Sequence, residues 1–82
     1  MKYVYFYHYR YEGIIDEKIM IYNGSGIIDC DDKIDDYGIY KTVKEEIFRD
    51  FLNGIKDEII KTQITVNCFC VTSLSFLHEV NE

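Results

Sequence analysis

A tyrosine stands at every second position near the N-terminus, at Tyr3, Tyr5, Tyr7, Tyr9 and Tyr11. A period of two is typical of a β-strand, in which successive side chains point to opposite faces of the sheet. The spacing therefore predicts a strand over residues 2–11 with all five phenols on one face. Residues 4, 6 and 8, also apolar or aromatic, line the other face. We therefore expect cover on both sides, from a helix of this chain on one and from a partner on the other.

The next segment predicts a second strand and a hairpin. Lys18–Tyr22 has strand composition, and residues 23–26 (Asn-Gly-Ser-Gly) form a turn or bulge signal. Extended structure resumes at Ile27 and Ile28. The simplest interpretation is a hairpin with a long, irregular second strand, and the alternative is a three-strand meander.

An amphipathic helix follows, because apolar side chains recur at every fourth position. These positions are Val43, Ile47, Phe51, Ile55 and Ile59. A Thr-x-x-Glu capping box over residues 42–45 predicts the helix start there, and an earlier start at residue 35 or 36 is the alternative. Residues 53–54 (Asn-Gly) predict a glycine-capped end, followed by a pause or a second short helix.

Residues 62–79 have β composition and predict either one long bulged strand or two strands broken near residues 72–73. The order β-β-α-β, with an extra strand as the alternative, indicates an α+β fold. It is a single antiparallel sheet with one main helix packed on one face. A single helix leaves the other sheet face open, and we assign the tyrosine row to that open face.

Size and charge narrow the class of protein. A chain of 82 residues is expected to form one small domain over residues 1–82, and a hydrophobic content of 48% predicts a packed core. The net charge of -6 argues against direct nucleic-acid binding and favours basic protein surfaces. The chain has no apolar run of membrane-spanning length, and its three cysteines form no disulfide framework. We therefore expect no membrane partner and a location in the cytoplasm.

Five carboxylates lie within eight residues, at Asp29, Asp31, Asp32, Asp35 and Asp36. The pattern argues against a calcium loop, because Lys33 and Ile34 interrupt the ligand spacing and the stretch contains no glycine. Two interpretations remain. The stretch is a solvated loop whose last aspartate caps the helix, or it is an anionic patch that occupies a nucleic-acid site on a host protein.

No catalytic or metal motif stands out. Cys68 and Cys70 are two apart rather than three, and His8 and His78 are the only imidazoles. This set does not match a zinc site, so buried free thiols are expected. The Gly-Ser-Gly of residues 24–26 is not a nucleophile elbow. We expect no enzyme, no cofactor and no metal.

The tyrosine row is interpreted as an interface. Base stacking on an aromatic sheet face needs flanking basic residues, and only Lys2 and Arg10 lie near it. Tyrosine is enriched in protein interfaces, because it offers a large contact area at a low entropic cost. We therefore expect the row to contact a second copy, in a homodimer, or a target protein.

Four short stretches of the sequence carry a resemblance: Lys2, Tyr3, Tyr5 and Tyr7 in the opening, Gly24–Gly26 as a bend, Ile34–Asp36 as the helix entry, and Phe76, Leu77 and Glu79 in the last strand. In these stretches the chain resembles small phage-encoded accessory proteins of low-GC Gram-positive hosts. Proteins similar to that group in size and setting often antagonise host defence, including anti-CRISPR inhibitors. The resemblance implies the same setting here, in the host cytoplasm, and transfers no active-site residue.

These observations give two functional hypotheses for a protein with a target, beside a third, a structural small domain with no target. The first is a non-enzymatic, acidic phage accessory protein that binds and inhibits a host protein, such as a nucleic-acid-binding component of bacterial defence. The alternative is a homo-oligomeric binder of a small ligand or nucleotide, a sponge whose tyrosine-lined sheet face holds a base.

Overall fold

The structure, a computed structural model, describes residues 1–81 and confirms the α+β class. Its strands are β1 (Lys2–Ile15), β2 (Lys18–Cys30) and β3 (Phe69–Val80), and its helices are α1 (Tyr37–Gly54) and α2 (Glu58–Gln63). A short 3₁₀ turn at Val66–Cys68 precedes β3. The strands form one antiparallel sheet in the order β2-β1-β3, which confirms the single sheet and the β-β-α-β order.

The hairpin between β1 and β2 is longer than predicted. β1 continues through Gly13 to Ile15, and two residues, Asp16 and Glu17, make the turn with φ angles of 53° and 65°. Positive φ at both central residues matches the twist of a two-residue hairpin, but it is unfavourable for residues with a Cβ atom. Two hydrogen bonds from the Gln63 side chain of α2 offset this backbone cost at Asp16. Its Oε1 accepts the backbone N–H of Asp16 at 2.9 Å, and its Nε2 donates to Asp16 Oδ1 at 3.0 Å.

Gly24 and Gly26 make no turn, because β2 runs straight through them with one-to-one pairing to β1. Their lack of side chains makes room for tyrosine rings of β1 instead. A Cβ atom on Gly24 would stand 2.4 Å from the Tyr9 ring, and one on Gly26 would stand 2.6 Å from the Tyr7 hydroxyl. The signal read as a turn is therefore a cross-strand aromatic–glycine contact, in which the ring covers the glycine backbone.

Helix α1 begins earlier than the Thr42 capping box predicts. Asp36 is the N-cap, and its Oδ1 accepts the backbone N–H of Ile39 at 2.9 Å. Thr42 lies inside the helix and donates to the Gly38 carbonyl. Gly54 does not supply a left-handed cap, because no glycine among the described residues has a positive φ. The second short helix is confirmed as α2.

The last segment forms one long bulged strand, β3, rather than two strands, but the strand begins at Phe69 and not at residue 62. Residues 62–63 end α2, and Val66–Cys68 form the 3₁₀ turn. Its pairing with β1 shifts between Val4 and Tyr5 and again between His8 and Tyr9. Each shift leaves one β3 residue unmatched, Leu77 and Thr72 respectively. The Thr72 bulge lies at the break point proposed for two strands, and the chain continues through it.

The core lies between the tyrosine face of the sheet and α1, which corrects the predicted placement of the tyrosine row. Tyr5 and Tyr11 are 5% and 1% exposed, and Tyr7 and Tyr9 are half-buried against the core. The Phe51 ring of α1 lies 5.3 Å from the Tyr9 ring and 5.7 Å from that of Tyr11, measured between ring centroids. The row is therefore an internal packing surface, and the open face is the opposite one.

The residues of the neighbouring strands explain why α1 packs on the tyrosine face and not on the opposite one. On the tyrosine face, the pairing brings in Met20, Tyr22 and Ile28 from β2 and the buried Phe69 and Val71 from β3. The opposite face carries charged and amide side chains, which would lose their hydration under a helix. Burying such groups without partners costs more than burying tyrosine, whose hydroxyl can reach the rim of the core.

Candidate protein-binding surfaces

The open sheet face carries four exposed isoleucines, which we call the open-face isoleucines. They are Ile14 on β1 and Ile19, Ile21 and Ile27 on β2, and their exposed fractions run from 48% to 70%. Ile14 pairs with Ile19 beside the hairpin turn, and Ile27 pairs with Phe6 further along the sheet. Grouped exposed apolar residues of this kind mark interaction sites more often than isolated ones do.

Between these apolar groups the open face is polar. Arg10 donates to Glu12 at 3.3 Å, and the His8 ring stands edge-on to Phe6 with 4.9 Å between centroids. Ser25 of β2 and Ser73 of β3 flank His8 on its two sides. An apolar pair at either end with hydrogen-bonding groups between them is suited to a protein surface rather than to a lipid surface.

All five aspartates of the acidic stretch are exposed. Asp29 lies in β2, on the open face, and Asp36 caps α1 as one interpretation predicted. Lys2 donates a hydrogen bond to Asp31, and this bond together with the lysine charge lowers the pKa of the Asp31 carboxyl. The binding role of the aspartates stays a prediction.

Three of these aspartates line a shallow groove of about 200 Å³ between the end of β2 and α1. It is lined by Asp29, Asp31 and Asp32 together with Cys30 and the α1 residues Ile39, Thr42, Val43 and Glu46. Burial and the nearby carboxylates of Glu46 and Asp29 raise the pKa of the Cys30 thiol. A thiol held in its neutral form is a poor nucleophile and a poor metal ligand. The groove therefore offers negative charge, not an activated cysteine.

A second groove has the opposite character. It measures about 450 Å³ and is lined by Tyr37, Tyr40, Lys41, Lys44, Glu45, Val66 and Asn67. The Tyr37 and Tyr40 rings project from one side of α1 with centroids 6.4 Å apart, and Tyr37 is 76% exposed. Two ammonium groups beside the exposed Tyr37 ring and the half-buried Tyr40 ring form a local basic and aromatic surface on an acidic chain. We call it the tyrosine–lysine groove.

The cysteines do not form the buried set that the sequence predicts. Cys30 is half-buried, but Cys68 and Cys70 are exposed. Cys70 lies on the open face because its neighbours Phe69 and Val71 take the two core positions. Within residues 1–81, no three histidine, cysteine, aspartate or glutamate side chains are grouped as metal ligands would be.

Sequence reasoning missed the open-face isoleucines, although a signal for them exists. In β2 the isoleucines at 19, 21 and 27 share odd numbers, as the residues of one strand face must. A turn at residues 23–26 would interrupt this period, so the predicted turn conceals the face that the three isoleucines share. With β2 continuous, the three isoleucines fall on the face opposite Met20, Tyr22 and Ile28.

No protein-family model, curated protein or solved structure matches this chain. Among the helices of residues 1–81, none combines the length and the apolar character needed to cross a membrane.

Proposed function

We propose that this chain is a non-enzymatic binding protein that docks its open sheet face on a host protein and inhibits it. The observation that carries the proposal is the placement of the open-face isoleucines on a sheet face that neither helix covers. The resemblance to phage accessory proteins supports the setting, a bacterial host cytoplasm, and supports a component of bacterial defence as the target.

The charge distribution supports a target with a basic surface. Asp29 continues the open face toward the exposed aspartates at 31, 32, 35 and 36, so apolar contacts and negative charge lie side by side. A nucleic-acid-binding protein presents lysine and arginine around its substrate channel, and an acidic partner is steered to such a surface. Inhibition then follows from blocking access of the nucleic acid.

The experiment mixes the purified protein with purified defence nucleases, starting with CRISPR effector nucleases of low-GC Gram-positive bacteria. We expect a complex at micromolar concentration by light scattering, a loss of DNA cleavage, and weaker binding as salt rises. The variant Ile27→Lys should weaken binding at least about tenfold, because a desolvated charge at an interface costs more than about 1.4 kcal/mol.

The matched control is Ile59→Lys on α2. Ile59 is 69% exposed, close to the 66% of Ile27, but it lies outside the sheet. The control should bind like the wild type. Absence of any complex contradicts the proposed target class, and equal losses in both variants contradict docking through the open face.

A second candidate function is small-ligand binding at the tyrosine–lysine groove, instead of at the tyrosine row. The tyrosine row cannot present an open sheet face to a base, because α1 packs against it. The tyrosine–lysine groove has the chemistry that the row lacks, with the exposed Tyr37 ring for stacking and two lysines for a phosphate. Its volume is within the range of small-molecule sites.

Calorimetry with a nucleoside monophosphate tests this second candidate. Binding that is lost in Lys44→Ala and kept in Lys56→Ala, a lysine outside the groove, supports it. Native mass spectrometry of protein purified from its host adds an independent measurement. A bare mass together with a flat calorimetric titration contradicts it.

A further inference from the structure

The two edges of the sheet differ in how they are protected from pairing. Natural proteins block exposed edge strands with charges, prolines and bulges, because an open edge is a template for another strand. The β3 edge carries two bulges and the charged Glu79. The β2 edge has none of these over Ile19–Ile28, ten residues without a charge, a proline or a register shift. Within residues 1–81 no further strand pairs with this edge.

The hairpin turn determines which backbone groups point outward from β2. In a two-residue hairpin the residues that flank the turn, here Ile15 and Lys18, exchange both of their hydrogen bonds. The pattern then alternates, so even-numbered residues of β2 bond to β1. The odd-numbered residues, including Ile21, Ser25 and Ile27, direct their N–H and C=O groups away from the sheet.

We propose that a second copy of this chain pairs antiparallel along the β2 edge, so that the dimer contains one six-stranded sheet. A two-fold axis at Gly24, the central residue of β2, brings all thirteen residues of the strand into the pairing. Ile21 of one copy then lies opposite Ile27 of the other, on the open face. Such aliphatic cross-strand pairs stabilise a sheet.

The charge of the chain does not oppose this dimer. The interior of β2 carries no charge, and its one acidic residue, Asp29, lies five positions from the axis. The two Asp29 side chains are then about 33 Å apart at 3.3 Å per residue, several times the screening length of about 8 Å in physiological salt. Pairing also joins the two open faces on one side of the dimer and doubles the number of open-face isoleucines.

Sedimentation or multi-angle light scattering at about 100 µM, where a micromolar self-affinity gives mostly dimer, measures the assembly. We expect twice the chain mass of 9.8 kDa for the wild type. Ser25→Pro removes one outward N–H without touching the ladder to β1, and such a proline is tolerated on an edge strand. This variant should sediment as a monomer. Ser25→Lys, which keeps the N–H but places two lysines near the axis, should do the same.

The control is Ser73→Lys on β3. Ser25 and Ser73 both pair with His8, so the two lysine variants place the same charge on the same face at opposite edges. Ser73→Lys should remain dimeric. Amide exchange should also be slow at Ile21 and Ile27 in the wild type and fast in Ser25→Lys.

A monomeric wild type at this concentration overturns the proposal. So does a dimer that survives Ser25→Lys, or one lost equally in Ser25→Lys and Ser73→Lys, which indicates face-to-face stacking instead. If circular dichroism shows that Ser25→Pro does not fold, the two lysine variants and the amide exchange decide the result.

Discussion

The two faces of this sheet are built from the same strands but differ in what they bury. The tyrosine face packs under α1, where phenol rings fill the space above glycines on the neighbouring strand. The opposite face leaves four isoleucines in contact with solvent, next to arginine, glutamate and serine. Apolar content alone does not separate the two faces. The difference is that burying the second face would require the desolvation of Arg10, Glu12 and Asn23, whereas a tyrosine hydroxyl can find a partner at the edge of the core.

On the covered face, two of the tyrosine hydroxyls have hydrogen-bond partners of this kind. The Tyr5 hydroxyl accepts the backbone N–H of Ile34 at 2.8 Å, and the Tyr11 hydroxyl accepts that of Thr65 at 3.3 Å. Both donors belong to segments that leave or approach a helix. The tyrosine row therefore does more than fill the core, because it also holds the connections on either side of the helical layer.

The largest contrast between the faces should appear on truncating their apolar side chains. Phe51 is buried and contacts the rings of Tyr9, Tyr11 and Phe69. We expect Phe51→Ala to lower the free energy of unfolding by about 3–5 kcal/mol, from lost transfer energy and a cavity. Ile14→Ala on the open face, where the side chain is 70% exposed, should cost less than about 1 kcal/mol. Urea denaturation followed by circular dichroism measures both, and equal costs would mean that the open face is also buried.

A smaller contrast is expected from adding one methyl group to β2. Gly24→Ala would place a Cβ atom 2.4 Å from a Tyr9 ring that Phe51 and Phe69 hold in place. The ring must move, and we expect a loss of about 1–3 kcal/mol from overpacking. The neighbouring Ser25→Ala points to the open face and should change stability by less than about 0.5 kcal/mol. A shift in thermal midpoint for Ser25→Ala as large as that for Gly24→Ala would refute the aromatic–glycine contact.

Removing a tyrosine hydroxyl should lower stability on the covered face but not on the exposed side of α1. Tyr5→Phe leaves the backbone N–H of Ile34 without its acceptor in a part-buried position, and we expect a loss of about 1 kcal/mol. Tyr37→Phe, on the exposed side of α1, should leave the free energy of unfolding unchanged. Amide exchange at Ile34 gives a local measurement. If the Ile34 amide exchanges no faster in Tyr5→Phe than in the wild type, this hydrogen bond does not hold the segment between β2 and α1.

The smallest effect is expected at the end of the sheet, where Lys2 and Asp31 pair in solvent. The Lys2 hydrogen bond and charge lower the pKa of Asp31, so the pair favours the folded state above the ordinary aspartate pKa and is lost as the pH falls through the lowered value. Lys2→Ala should return the Asp31 pKa to its usual range in a carboxyl NMR titration. High salt should reduce the shift in the wild type as well. A titration of Asp31 that does not respond to either change would contradict the pairing.

Elements with a strong period were predictable from the residues alone. The alternation over residues 2–11 identifies a strand and the residues that share each of its faces, and the four-residue spacing from Val43 to Phe51 identifies a helix and its apolar side, because the geometry of one strand or one helix is local. Helix ends were harder. Both Asp36 and Thr42 can cap a helix, and the choice of Asp36 follows from Ile39, which packs against the core when the helix begins there.

The candidate site was less predictable, because it depends on contacts between strands. Gly24 and Gly26 are compatible with a turn and with a strand lying under two rings, and only the register with Tyr9 and Tyr7 distinguishes these alternatives. The assignment of the tyrosine row to the open face was wrong for the same reason. Alternation shows that five tyrosines share a face, but the polar residues that keep a helix off the other face come partly from β2, where Asn23 lies thirteen residues along the chain from its partner Arg10.

The tyrosine row, the amphipathic helix, the acidic stretch and the α+β class follow from the order of residues along the chain, because each depends on neighbours within a few positions. The covered face, the open-face isoleucines and the unprotected β2 edge were decided only when three strands came together. A strand's partners determine which of its faces is cheaper to bury and which of its edges remains unpaired, and no local pattern contains that information.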